Sequence, residues 1–202
     1  MGNILTATVQ VRGTRPLLWH HFGPDTITLG KRERTGVAGN DPAEWKRSVL
    51  YLPETGQLYI EPTYVFGCLR DGAKYTRKGK TSIQRLVTAT LQVLDDSILI
   101  DRFIPDYNGG LPKEIATDPT LPVYLDIRSV RNPGTGAHNV RYRVAASTGW
   151  ATTFRILWDA TIVGRGEMEA VAIDAGRFSG LGSGRAIGFG RFEVLQFDVE
   201  EA

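Results

Sequence analysis

The sequence predicts an α+β fold, an antiparallel sheet with its helices on one face. Three observations carry this. Several runs alternate apolar and polar residues at the two-residue period of a half-buried strand. Apolar residues recur at helical spacing over 62–76 and 81–92, and 167–175 opens with acidic residues as a helix does. Finally, these segments interleave, and strands alternating with two principal helices pack as a two-layer sandwich.

The first strand covers 4–12, with Leu5, Ala7, Val9 and Val11 on one face and Thr6, Thr8, Gln10 and Arg12 on the other. It ends at Gly13-Thr14-Arg15-Pro16; Leu17–Phe22 is ambiguous, and 23–42 is a polar, glycine-rich loop of a length usually functional or disordered. Ser48–Leu52 and Gln57–Ile60 read as a hairpin about Pro53-Glu54-Thr55-Gly56. Pro62 suits a helix first turn, with Val65, Phe66, Leu69 and Ala73 on one face as far as Thr76. Gly67 inside that helix implies a close packing contact. A second helix, 81–92, turns Ile83, Leu86, Val87 and Thr90 inward, and Ile98–Ile104 is a strand. A proline-rich connection over 105–120 leads to a long hairpin, Val123–Arg131 and Asn139–Ala146. Val123, Leu125, Ile127, Val140, Tyr142 and Val144 lie on its packed face, and Arg128, Arg141 and Arg143 share the other. Thr153–Val163 is a strand with Phe154, Ile156, Trp158, Ala160 and Ile162 inward. The helix over 167–175 has Gly176 as its C-cap, and the last strand, 189–199, changes face between Val194 and Leu195, which predicts a bulge. The order suits a ferredoxin-like (RRM-like) core with the first and last strands central. The helices from 62–76 and 167–175 would pack behind them. One domain, 1–202, with insertions at about 23–47 and 105–147, accounts for the chain.

Composition narrows the function classes. The chain of 202 residues is 42% hydrophobic and 23% charged, with a net charge of +2 and a pI of about 8.7. That balance is too mild to indicate nucleic acid unless the cations cluster. Cys68 is the single cysteine, so neither an intrachain disulfide nor a cysteine-rich zinc site can form. No cofactor or resident metal is expected. No apolar run approaches about 18 residues and no signal-like segment opens the chain, so a cytoplasmic protein without membrane contact is expected.

Five glycines fall within Gly180–Gly190 (Gly180, Gly182, Gly184, Gly188 and Gly190), with Ser183, Arg185 and Arg191 among or beside them. Glycines at this density bring backbone N–H groups close to an anion, and the arginines add charge. A dinucleotide fingerprint runs from strand to loop to helix, whereas this loop follows a helix and enters a strand. A P-loop is excluded because no Gly-Lys-Ser/Thr is present.

The pattern Gly180-x-Gly182, five residues, Gly188-x-Gly190 resembles the C-terminal glycine-rich loop of the RAMP superfamily of CRISPR-associated proteins, where the loop contacts RNA. A second stretch, Thr55-Gly56-Gln57-Leu58-Tyr59-Ile60-Glu61-Pro62 running on to Gly67-Cys68-Leu69-Arg70, is similar to a hairpin–helix of the guide-RNA-binding backbone subunits. Glu61 before Pro62, and Phe66 where a lysine is common, depart from that pattern. The resemblance implies a type III-like backbone subunit that oligomerises along guide RNA. Its partners would be the guide (crRNA), further copies of itself, other effector subunits and target nucleic acid. In such proteins a long hairpin kinks the guide and touches the next copy.

Basic clusters fit that expectation: Lys74, Arg77, Lys78 and Lys80 with Tyr75 among them, Lys31, Arg32 and Arg34 in the early loop, and the Arg128, Arg141 and Arg143 face. They could follow a phosphate backbone, with Tyr75, Phe189 or Trp19 stacking on bases. Either cluster alone is equally an ordinary solvated face. His20 and His21 introduce an alternative, because processing nucleases of the same superfamily use an early histidine, without metal, to shuttle a proton. Adjacent histidines on a strand face opposite ways, so one of them could serve. In type III backbone subunits an aspartate in the loop after the first strand cleaves target RNA with a divalent metal. Asp25 and Asp41 occupy a comparable loop, although Asp41-Pro42-Ala43-Glu44 is also an ordinary helix start. Three functions are thus in play: an RNA-binding subunit, a metal-independent endoribonuclease, and a protein-interaction domain that binds no nucleic acid.

Overall fold

The computed structural model describes residues 3–23, 41–131, 134, 136 and 138–202. In chain order, strand β1 (Ile4–Gly13) and the short β2 (Leu17–Leu18) precede helix α1 (Glu44–Ser48) and strand β3 (Gln57–Ile60). Helix α2 (Pro62–Gly72) leads to a small hairpin, β4 (Arg77–Lys78) and β5 (Thr81–Ser82), then to helix α3 (Gln84–Thr90) and strands β6 (Gln92–Val93) and β7 (Ile98–Phe103). The long hairpin is β8 (Val123–Arg131) and β9 (His138–Ala146). Strand β10 (Ala151–Asp159), helix α4 (Arg165–Asp174) and strand β11 (Phe192–Glu201) complete the chain. No helix among the described residues is long and apolar enough to cross a membrane.

The chain divides into two compact units. The first holds Met1–Leu17, Tyr59–Asp101 and Thr148–Ala202. Its sheet runs β11-β1-β10-β7-β3, with β6 also against β10, and β1 is antiparallel to both of its neighbours. Reading β1, α2, β7, β10, α4, β11 along the chain gives the antiparallel ferredoxin-like order. Its core gathers Val9, Phe154, Ile156 and Trp158 of the sheet with Val65, Leu69, Met168 and Val171 of α2 and α4, each at most 1% exposed. The last strand is at the edge, not central as expected, and β10 holds the middle. The side chains account for this. Phe154, Ile156 and Trp158 of β10 are buried, whereas β11 exposes Glu193, Asp198, Glu200 and Glu201, charges that suit an open edge. The bulge falls where the sequence places it: Gln10 pairs Gln196 and Val11 pairs Val194, leaving Leu195 unpaired and exposed.

The second unit holds Leu18–Leu58 and Arg102–Ser147. Strands β8 and β9 pair from Val123 opposite Ala146 to Arg131 opposite His138, and the chain at Leu18 lies beside β9, with the Trp19 amide donating to the Val144 carbonyl at 3.0 Å. The expected alternation of faces fails at both ends of this hairpin. Val123–Asp126 and Arg143–Ala146 are buried on both faces, while Ile127 is 46% exposed. The base is covered by chain the hairpin pattern does not record: the Leu125 amide, for one, donates to Ala116 at 2.8 Å. The expected 48–52 hairpin reduces to one bridge, Tyr51 with Leu58, because Ser48 closes α1.

Helix ends differ from their predicted positions for packing reasons. Helix α2 stops at Gly72, and α3 begins at Gln84 because Thr81–Ser82 pairs with Arg77–Lys78 about Gly79. Leu86 faces outward at 39% exposure. Gly176 is no C-cap: α4 runs on into a wide π turn, Ala175–Ser179, and reverses at Gly180. A Cβ on Gly176 would lie 2.3 Å from the Phe192 carbonyl. The close contact sought at Gly67 is at Gly72 instead. Nothing lies within 4 Å of a Cβ at Gly67, whereas one at Gly72 would sit 2.5 Å from the Ala175 Cα.

Two substitutions in one helix should therefore act oppositely. Gly72→Ala must push backbone apart and should cost about 2–3 kcal/mol of unfolding free energy in urea. Gly67→Ala fills open space and should add about 0.5–1 kcal/mol through helix propensity. Equal effects at the two positions would refute this packing account.

Candidate nucleic-acid interface

The glycine-rich loop has a fixed shape. All five of its glycines have positive φ, from +68° at Gly190 to +92° at Gly188. Its neck is closed by backbone: the Leu181 amide donates to Gly190 at 2.9 Å, and the Gly190 amide donates to Pro16 at 2.8 Å. A Cβ on Gly190 would lie 1.8 Å from the Leu181 carbonyl oxygen, and one on Gly180 would lie 2.7 Å from that of Phe189. These two glycines let the neck close. Between them a single 3-10 turn, Arg185–Ile187, carries the loop outward.

Against this loop the end of α2 builds a groove of about 590 Å³. Lys74 and Tyr75 line one side, Phe178 and Ser179 come from the turn after α4, and Gly182, Gly184, Arg185 and Arg191 come from the loop. Tyr75 and Phe178 are 54% and 48% exposed, with ring centroids 4.8 Å apart, so they present an apolar platform to solvent. Asp71 organises the cations: its carboxylate is 3.1 Å from Lys74 Nζ, 3.2 Å from Arg70 Nη2 and 3.4 Å from Arg185 Nη1. Burial raises the Asp71 pKa, but hydrogen bonds and charge from Arg70 and Lys74 outweigh it and hold the carboxyl below the ordinary aspartate value. Arg191 Nη2 donates to the Arg185 carbonyl at 3.5 Å, while Arg191 Nη1 is buried with no acceptor among the described residues. A cationic groove with a buried donor left over and aromatic faces at its rim is equipped for an anion that carries rings.

The remaining predicted residues are distributed elsewhere. Arg77, Lys78 and Lys80 are exposed on the β4–β5 hairpin, where Lys78 lies 3.1 Å from Glu167. Arg128, Arg141 and Arg143 do share a face, but in ion pairs. Arg128 holds Asp126 at 2.6–2.9 Å, Arg141 holds Glu44 at 2.6 Å, and Arg143, only 5% exposed, sits 3.6 Å from Asp126. Burial lowers the Arg143 pKa against the opposing pull of Asp126. Much of this face thus anchors the hairpin rather than standing open.

His20 belongs to the same network, with Nε2 3.3 Å from Glu44. Burial pushes its pKa below 6.5; Glu44 opposes the shift, and Arg141 and Arg143 add to it. The His21 amide donates to Ser48 at 2.9 Å. Asp41 accepts from the Ala43 amide at 2.9 Å and pairs with Arg47, whose hydrogen bond holds the carboxyl below its ordinary value; it ties the start of α1. Asp25, Lys31, Arg32 and Arg34 lie outside the described residues. Among the described residues no group of three or more His, Cys, Asp or Glu side chains could hold a metal ion.

Asp71, Phe178, Ser179 and Ala186 line the groove without having been singled out in the sequence, and the first two supply its carboxylate and one of its rings. Asp71 stands three residues before Lys74, the spacing of a helical ion pair, and Phe178 lies two residues before the first loop glycine. Both signals were present, but only the fold puts Phe178 beside Tyr75.

No protein-family model matches the sequence, and no curated protein matches it. Among solved structures, the cryo-EM structure of the Type III-B Cmr-beta bound to cognate target RNA contains a chain that aligns with this one at a TM-score of 0.55 and 13% identity. The two share a fold. The alignment covers 98% of this chain and 61% of the other, so this chain spans about three fifths of that neighbour's length.

Two outcomes follow from the geometry. Gly190→Ala should open the neck and cost about 2 kcal/mol or more of stability, read by urea unfolding. His20, whose proton affinity is lower folded than unfolded, contributes stability that is full above about pH 6.5 and is lost as pH falls from there toward the folded pKa. His20→Asn should flatten that part of the profile of unfolding free energy against pH.

Proposed function

We propose that this chain is an RNA-binding subunit of a CRISPR-type effector ribonucleoprotein, holding guide RNA in the groove between the glycine-rich loop and the end of α2. Copies would sit side by side along the guide, with other effector subunits and target nucleic acid as further partners. One observation carries this: Lys74, Arg185 and Arg191 converge on a groove whose rim is the exposed Tyr75–Phe178 pair. Guanidinium and ammonium groups suit phosphates, and exposed rings suit unstacked bases without regard to sequence. The fold shared with a chain of an RNA-bound Type III-B assembly is consistent with this reading.

The test is to purify the protein with and without RNase, then record the ratio of absorbance at 260 and 280 nm, the size in solution, and binding to single-stranded RNA across salt. An RNase-sensitive oligomer is expected. Lys74→Gln with Arg185→Gln should weaken binding and shrink the salt slope by about 1.4, at about 0.7 per lost phosphate contact. Tyr75→Ala with Phe178→Ala should weaken binding by about 1–3 kcal/mol per stacked base while leaving the slope in place. A nucleic-acid-free monomer that ignores RNA at low salt would point to the protein-interaction domain. Metal-free cleavage abolished by His20→Ala or His21→Ala would point to the endoribonuclease.

A further inference from the structure

A second groove, of about 730 Å³, opens beside the same loop neck, and its cations are Arg15, Arg177 and Arg191. None of the three pairs with a carboxylate among the described residues. The carboxylate in its lining, Glu193, has Arg12 within 4.0 Å to offset its charge. This contrasts with the first groove, where Asp71 already occupies Lys74 and Arg185. The positive field of the second groove is therefore the less neutralised of the two. Its frame is also rigid. The amides of Thr14 and Arg15 donate to the Arg191 carbonyl at 2.8 and 3.2 Å, and Trp150 Nε1 donates to the Arg15 carbonyl at 2.8 Å. Arg191 lines both grooves, and its Nη1 is the buried donor without an acceptor among the described residues. A buried guanidinium nitrogen left this way is costly unless a ligand supplies the acceptor.

We propose that the second groove is a phosphodiester site on the strand held by the first, so that the RNA passes Arg191 with phosphates on both sides of it. Forked donors on Arg15, Arg177 and Arg191 match the oxygens of a phosphate, and sharing Arg191 makes the two grooves one track. This rests on the RNA-binding function proposed above and adds residues to it that the glycine-loop pattern does not include.

The test uses the full chain and oligouridylate. Arg15 and Arg177 are exposed and outside every ion pair among the described residues, so Arg15→Gln with Arg177→Gln should fold normally, which a urea melt checks. The control is Arg85→Gln with Arg165→Gln, an equal loss of charge from two exposed arginines that line neither groove. For the groove pair, affinity should fall about tenfold and the salt slope should shrink by about 1.4, at about 0.7 for each of two lost contacts; the control pair should shift the slope by much less. An unchanged slope in the groove pair, or an equal loss in the control pair, overturns the second site while leaving the first groove intact. Wild-type protein that binds no RNA overturns the RNA-binding function itself, and this inference with it.

Discussion

The closed neck of the glycine-rich loop is the constraint on which the rest of the site depends. Two backbone hydrogen bonds, Leu181 to Gly190 and Gly190 to Pro16, tie the exit of α4 and the start of β11 to the end of β1. The distances leave no room for a side chain at Gly190. With the neck shut, Arg185 is carried out on its short turn toward Asp71, and Arg191 is fixed where it borders two cavities. Preorganisation of this kind removes the ordering cost that a flexible glycine segment would incur on binding. The same glycines that look like a floppy connection in the sequence are what let the neck close on backbone hydrogen bonds.

Charge in this molecule falls into two populations, and the distinction decides which arginines can meet a ligand. On the long hairpin, exposed Arg128, half-buried Arg141 and buried Arg143 are matched to Asp126 and Glu44, and the pairs of Arg141 and Arg143 link β8, β9 and α1. In the one pair buried on both sides, Arg143 with Asp126, removing a partner strands the other charge, so that pair reports on stability before it reports on binding. Around the loop neck Lys74 and Arg185 share a single carboxylate, Arg15 and Arg177 are exposed, and half-buried Arg191 pairs with no carboxylate among the described residues. A net charge of +2 understates the protein for that reason: the positive field is local, and most of the compensating acid is elsewhere, on the edge strand β11 among other places.

Legibility in the sequence followed the range of the interaction. The order of strands and helices, the bulge at Leu195 and the direction of the glycine loop were all readable, because each depends on neighbours along the chain. The end of α2 was not, since it is set by Gly72 meeting Ala175 about a hundred residues away, and Gly67 gave the same signal with no contact behind it. Position in the sheet was misjudged for β11 because its inward alternation is real but its outward charges, which send it to the edge, are a statement about neighbours it lacks. At the site, glycines and arginines were visible as a pattern. The Asp71–Lys74 pair has the i,i+3 spacing of a helical ion pair, but the pairing of Tyr75 with Phe178 and of Asp71 with Arg185 joins the end of α2 to segments beyond α4, and no local spacing encodes those two.

Holding RNA and cutting it make different demands, and the two candidate regions meet them unequally. A general base needs a nitrogen directed at substrate, yet His20 Nε2 is turned to Glu44, which also accepts from Arg141 and from the Tyr142 amide. Glu44 of α1 holds Arg141 and the Tyr142 amide of β9, and burial in this packed cluster lowers the His20 pKa. The loop groove is the reverse. Tyr75 and Phe178 stand side by side and exposed there, a small apolar surface that stacked bases would cover. Exposed rings and cations outside ion pairs are the features on which the proposed RNA-binding function rests, and they gather at the loop rather than around His20.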